Sequence, residues 1–298
     1  MRDRSTGDDE TGPASPDRGH EAAPRERSRA RRRLLVRGLA AAAGAAAGGA
    51  AGLALGYRLR TEIRDVKLRL LARPLDLPPG ASDFRRDAAR ILARHRAQTA
   101  AEVAALKARY ESAVFGRVRV WDLIERLALC VDPTDLRLFC GSQFVHLQQV
   151  FAAMVANDVR DPDMLLLALI HDLGKVLLLA GAAPEHVVCG TRRVLDDRAG
   201  DGAGFANVVF QFGHGEFLHS RIAGLVPDHV AWVARYHNVN PTDNAHLMDE
   251  RDRDYAARYL AAFRRFDGDF VSPYYLPRVD LERCRALVES YFPQPILV

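Results

Sequence analysis

His171 and Asp172 stand side by side in the run Leu-Ile-His-Asp-Leu-Gly-Lys that ends at Lys175, directly after the apolar stretch Met164 to Ile170. A helix grown from that stretch carries the pair into the core. There an ionisable group costs several kcal/mol unless it is paired or bound to a metal. A carboxylate can bridge two ions while the neighbouring imidazole holds one. A metal centre is therefore one solution, and a hydrogen-bonded His–Asp core pair is the other; the dipeptide alone leaves both open.

Four further residues bear on the choice. His146 lies within Phe144-Val145-His146-Leu147, His214 follows Phe210-Gln211-Phe212-Gly213 at a helix start, His237 closes the apolar helix Val230 to Tyr236, and Asp267 follows Phe263 and Phe266. Taken singly, each reads as a satisfied core polar group. Taken with His171 and Asp172 they make six nitrogen and oxygen donors on apolar helices, each of which needs a partner when buried. Four imidazoles and two carboxylates suit iron, manganese or zinc, and they suffice for two ions sharing a bridge. His95, His186, His219, His229 and His246 sit among charges or at turns and read as surface residues, while His20 lies in a polar tail.

The elements that must hold these donors are helical. From Ser82 onward the apolar periodicity predicts helices over 83–110, 121–130, 143–157, 163–180, 227–237, 249–266 and 280–292. No internal repeat and no Gly-rich phosphate loop is present. The fold class expected is all-α, with one catalytic domain over 81–298. Ahead of it, residues 1–33 are polar and Arg-rich, a composition that predicts disorder. Residues 34–57 form an Ala/Gly-rich hydrophobic segment, and 58–80 a linker broken by Pro74, Pro78, Pro79 and Gly80.

Gly38 to Tyr57 carries no charge and is long enough for a bilayer span, with Gly44, Gly48, Gly52 and Gly56 on one helix face. Arg31-Arg32-Arg33-Leu34-Leu35 before it resembles a twin-arginine export signal. An uncleaved anchor with its basic side in the cytoplasm is the competing reading. Anchoring or export is expected, with a cytoplasmic chain bearing an Ala-rich tail as the alternative. The net charge of +4 resides mostly in the first forty residues, so no nucleic-acid partner is expected. Cys130, Cys140, Cys189 and Cys284 are scattered and read as reduced thiols.

The order His146, His171-Asp172, Asp267 resembles the ligand pattern of the HD-domain superfamily of helical metal-dependent enzymes. Further segments narrow the resemblance: Arg96-Ala97-Gln98-Thr99, Lys107 to Tyr110, Val131 to Asp135, Gly213 to Phe217, Ala234 to His237, Phe263 to Asp267, and the ending Leu276 to Asp280 through Tyr291-Phe292-Pro293. Together they are similar to the myo-inositol oxygenase family over about residues 84–295. The resemblance implies an HD-domain-like helical bundle enclosing a dinuclear site. It implies two iron ions in a mixed-valent Fe(II)/Fe(III) pair, O2 as co-substrate, and oxidative ring cleavage of myo-inositol, or a related cyclic polyol, to D-glucuronate. His146, His171 and Asp267 would hold one iron, His214 and His237 the other, with Asp172 bridging and Lys175 contacting substrate.

The departures from the family fall on the substrate side. Cys189-Gly190 stands where the family has Gly-Asp, Val271 where it has a second substrate lysine, and Asn238 and Thr134 where it has serines. The substrate contacts expected are thus Lys175, Thr134, Gly190 and Asn238, with Arg192, Arg193, Asp196 and Asp269 as replacements. Each lost contact to a polyol costs about 1.5–3 kcal/mol. Two alternatives of other classes remain: an HD-type phosphohydrolase using manganese, zinc or iron, and a membrane-tethered, non-catalytic binding module.

Overall fold

A computed structural model of the protein describes residues 84–298, apart from 136, 137, 139–141, 273 and 274. The expected tail 1–33, the apolar segment 34–57 and the linker 58–80 lie outside the described residues, as does Cys140. Among the described residues, no helix is long and apolar enough to cross a membrane.

The structure is mostly helical, as expected. In chain order the helices are α1 (Phe84–Arg96), α2 (Ala100–Arg109), α3 (Val120–Arg126), α4 (Gln143–Ala156), α5 (Pro162–Ile170), α6 (His214–Ile222), α7 (Asp228–Tyr236), α8 (Glu250–Tyr255), α9 (Ala261–Asp269) and α10 (Leu281–Tyr291). Two antiparallel ribbons add little: β1 (Arg117–Val118) pairs with β4 (Ile296–Leu297), and β2 (Val194–Asp196) pairs with β3 (Val209–Phe210) across a register shift.

Helix α5 is the axis of the fold. Asp161 caps its start by accepting from the Asp163 amide, Pro162 occupies the first turn, and every residue from Met164 to Ile170 is buried. A helix apolar all round belongs in a core. Helix α4 lies along it, α7 and α10 also contact it, and α6 packs on α7.

Besides the 3-10 turn, Leu127–Leu129, that finishes the helix expected over 121–130, three predicted helices are divided. The first breaks before Thr99, whose side chain and Glu102 form a reciprocal capping box that starts α2. The helix expected over 163–180 ends at Ile170. His171 is still right-handed, but Asp172 sits at φ −97°, ψ 5°, and a 3-10 segment, Leu173–Ala180, follows until Gly181 at φ 76° ends it. The His–Asp pair thus occupies a joint, not the interior of a helix as the periodicity suggested. The third predicted helix becomes α8, a π-helical turn over Ala256–Leu260, and α9.

Two glycines set how closely these pieces approach. A Cβ on Gly174 would fall 2.0 Å from the carbonyl oxygen of His214, and one on Gly215 would fall 2.7 Å from that of Ala234. The 3-10 segment, α6 and α7 therefore meet backbone to backbone, which any larger residue would prevent.

The surface assignment of the spare histidines needs correcting. Only His246 is exposed; His186, His219 and His229 are half-buried, and His95 is 1% exposed. His95 was misread because its flanking arginines point outward from α1, while its own Nδ1 donates to the Glu185 carbonyl at 2.9 Å. Burial pushes its pKa down from 6.5 to about 4. The unfolded chain takes up this proton near pH 6.5 and the folded chain only near 4. Stability is therefore expected to be complete above 6.5 and to fall by up to ~3 kcal/mol as the pH drops through that window. Urea unfolding of wild type and His95→Gln should show the gap between them closing from pH 7 to pH 4.5; a constant gap would refute the assignment.

Candidate metal centre

The six donors picked out in the sequence converge. His146 projects from the first turn of α4, His171 follows the last residue of α5, Asp172 occupies the joint, His214 opens α6, His237 follows α7, and Asp267 lies in α9. They form two trios, His146–His171–Asp267 and Asp172–His214–His237. All are buried except Asp267, whose side chain is 14% exposed.

Asp172 joins the trios. Its Oδ1 lies 2.9 Å from His214 Nε2 and 3.6 Å from His237 Nε2, while its Oδ2 lies 3.6 and 3.7 Å from the Nε2 atoms of His146 and His171. Asp267 Oδ1 stands 3.0 Å from His146 Nε2 and 3.4 Å from His171 Nε2. Burial alone would raise both carboxyls, but Lys175 and the histidines hold Asp172, and His146 and His171 hold Asp267, well below the usual carboxylate range.

A proton count tests whether cations fit here. The Nδ1 atoms of His171, His214 and His237 face the carbonyl oxygens of Leu167, Val187 and Ala234 at 3.2, 3.0 and 3.0 Å. A carbonyl only accepts, so each Nδ1 carries the proton and each Nε2 turns a bare lone pair inward. Burial lowers the pKa of His214 to about 4, so at neutral pH it has one proton for two acceptors, Val187 O and Asp172 Oδ1. Within each trio, moreover, two imidazoles bring Nε2 atoms to 3.1 Å of one another. Between His214 and His237 both nitrogens present lone pairs, which repel at that distance unless something electropositive lies between them. The spacing matches two ligands at right angles on one ion with bonds of ~2.1 Å. Hydrogen bonds from Nδ1 to backbone carbonyls also set ring tautomer and orientation in metal sites. The donor set fits two transition-metal ions sharing Asp172.

Lys175 lies on the 3-10 segment, fully buried. Its Nζ is 2.8 Å from Asp172 Oδ2 and 3.0 Å from Asp132 Oδ2, and it donates to Gln143 Oε1 at 3.0 Å. Burial would lower the ammonium pKa, but Asp172 and Asp132 hold it well above the ordinary value. Sequence reasoning missed Asp132 and Gln143. A buried lysine requires a carboxylate, and the loop Asp132-Pro133-Thr134-Asp135 was the available signal.

The other substrate-side residues divide. Asn238 Nδ2 stands 3.3 Å from His214 Nε2, beside the second trio. The Thr134 hydroxyl instead builds its own loop, donating to Asp132 Oδ1 at 2.6 Å and accepting from the Cys189 amide at 2.9 Å. Gly190 brings backbone only; a Cβ there would meet Leu92 Cδ2 at 2.8 Å. Among the replacements, Arg192 is 3% exposed and bound within the protein, Asp196 is taken by Arg198, and Arg193 and Asp269 are exposed. Phe263, read in the sequence only as an apolar neighbour of Asp267, makes an edge-to-face contact with His171, centroids 5.0 Å apart, four residues before Asp267 on α9.

A helical fold that brings a His–Asp pair and four partners from separate elements together is HD-like, and its two buried donor groups could hold metal ions. The family model for myo-inositol oxygenase matches residues 86–196, a span that includes His146, His171, Asp172 and Lys175. The chain is also similar to inositol oxygenase 2 of Arabidopsis thaliana, 29% identical over 222 residues, covering 58% of this chain and 66% of that protein. Inositol oxygenase 4 of the same plant is 27% identical over 242 residues, covering 67% and 74%. A probable inositol oxygenase of Oryza sativa subsp. japonica is 28% identical over 216 residues, covering 58% and 68%. The chain thus spans roughly two thirds to three quarters of the relatives it matches. Over these stretches it is similar to the myo-inositol oxygenase family. His214, His237 and Asp267 lie beyond the stretch matched by the family model, and the geometry is what unites them with the rest.

Proposed function

We propose that this chain is a non-haem di-iron oxygenase that cleaves a cyclic polyol with O2, with myo-inositol as the first substrate to test and D-glucuronate as its product. The observation that carries this is the pair of buried trios joined through the two oxygens of Asp172. Two bound iron ions would supply the redox equivalents and the Lewis acidity that the side chains lack.

The chain's own residues have distinct tasks in this reading. His146, His171 and Asp267 would hold one ion and His214 and His237 the other, with backbone carbonyls fixing the tautomers of His171, His214 and His237. Lys175 holds an ammonium against the bridging carboxylate, where it can shift a hydrogen bond from Asp132 to a substrate hydroxyl and steady the negative charge left on deprotonation. Asn238 offers an amide next to the second trio. The enclosing α4, α5 and Phe263 keep bulk water from His146 and His171.

A hydrolytic use of the same ligands has less support. A phosphate ester needs free cations to clamp it, yet Lys175 is paired with two carboxylates, and Arg192 and Arg235 both bind Glu216. Location rests on the sequence: residues 34–57 are proposed to anchor or export the chain. Iron-loaded protein given myo-inositol should consume O2 and form D-glucuronate. Hydrolysis of phosphate esters with no O2 uptake would favour the phosphohydrolase, and iron binding with neither reaction would favour a binding module.

A further inference from the structure

Behind the second trio lies a buried ionic cluster that the chemistry above does not use. Arg192 precedes β2, and its guanidinium makes three contacts in different directions. Nε donates to the carbonyl of Gln211 at 2.6 Å, one terminal nitrogen to the carbonyl of Arg235 at 2.8 Å, and the other to Glu216 Oε2 at 3.1 Å. Its backbone amide also donates to the carbonyl of Asn238 at 2.8 Å. Every acceptor lies close in sequence to a donor of one trio: Gln211 is three residues before His214, Glu216 two after it, Arg235 two before His237, and Asn238 directly after it.

Glu216 ties the cluster together, since it also accepts from Arg235 at 2.8 and 2.9 Å and pairs with Lys107 at 2.9 Å. A guanidinium is planar with donors fixed in a fork, so contacts to α6, α7 and the strand before α6 set the spacing of all three. That spacing determines where the His214 and His237 rings stand, 3.1 Å apart at their Nε2 atoms. No comparable arginine contact reaches the segments of His146 or His171 among the described residues.

We propose that Arg192 is a positioning residue for the His214–His237 half of the centre: it braces the two ligand-bearing segments so that their imidazoles meet a single ion, and it leaves the His146–His171–Asp267 half untouched. This rests on the dinuclear reading for its consequence, but not for the brace itself. Groups that orient ligands without touching the ion typically contribute 10–100-fold in metal affinity.

The test compares wild type with Arg192→Lys and Arg192→Ala in anaerobic Fe(II) titration followed by Mössbauer spectroscopy, with His237→Ala and His146→Ala as references for each half. The expected result is one ion bound as in wild type and the other weakened 10–100-fold in both Arg192 variants. The weakened spectral component should be the one His237→Ala removes, and guanidinium ion should restore it in Arg192→Ala. Hydrogen exchange, which needs no iron, should rise in 211–216 and 235–238 but not in 143–156. Wild-type titration and exchange in both variants overturn the proposal. Uptake of a single ion by wild type, with exchange still raised in the variants, overturns the dinuclear reading and leaves the brace standing. If neither Arg192 variant folds, Glu216→Gln serves, and unchanged exchange in 211–216 there overturns the brace.

Discussion

Asp172→Asn is expected to bind neither ion, whereas His237→Ala loses only one. The difference follows from the reach of the two carboxylate oxygens, Oδ1 toward His214 and His237 and Oδ2 toward His146 and His171. An amide keeps one acceptor and turns a donor toward the other trio, where an incoming cation would meet N–H groups. The same change removes one of two carboxylates flanking Lys175. Breaking a buried ion pair costs about 3–5 kcal/mol, but Asp132 and Gln143 still hold the ammonium, so the cost should lie at or below the lower end. The oxygenase reading assigns several kcal/mol of rate acceleration to the ions. At ~1.4 kcal/mol per decade, activity should fall by three decades or more. Metal analysis, urea unfolding and O2 uptake on the one variant check all three, and retention of two ions by Asp172→Asn would discard the bridge.

Stripping the ions with a chelator is expected to lower the unfolding temperature by on the order of 10–20 °C. An ion present at a hundredfold excess over its dissociation constant stabilises the folded state by ~2.7 kcal/mol, and two by about twice that. For a domain of this size each kcal/mol moves the midpoint by about 2–4 °C. The structure says where the loss originates: without cations, inward-facing imidazole lone pairs and two carboxylates confront one another with Lys175 as the counter-charge at the bridge. A thermal scan with and without chelator, followed by readdition of Fe(II), measures the effect. Superimposable scans would mean that the six donors satisfy one another without metal.

The ligand candidates were legible in the sequence because their surroundings are apolar. An imidazole between Val145 and Leu147, or a carboxylate after Ile170-His171, stands out against what a core tolerates. The helices were legible for the same reason, since their buried faces repeat. The breaks were harder to read. Nothing in the periodicity separates α1 from α2, because the Thr99–Glu102 box interrupts an amphipathic pattern that continues beyond it. The acidic loop 132–135 offered a carboxylate for Lys175, but its pairing with Asp132 and Gln143 could not be read, because contacts between a loop, a helix start and a distant segment leave no local pattern. His95 and Arg192 show the reverse failure. His95 reads as a surface residue and Arg192 as a replacement substrate contact, yet each is buried because distant carbonyls, those of Glu185 for one and of Gln211 and Arg235 for the other, were brought to it by the fold.

The π-helical turn at Ala256–Leu260 carries a consequence for how such a centre can arise or vanish. A turn of this kind absorbs one surplus residue while the flanking turns keep their facing, and downstream here are Phe263 and Asp267. Deleting a residue within the turn would relax it to ordinary α-helix and leave the Asp267 carboxylate on the face that meets His146. The same deletion between Ala261 and Phe266, where no widened turn takes up the change, would rotate Asp267 by about 100° off that face. A change of length by one residue is thus tolerated at one turn of this helix and ruinous to the first trio at the next.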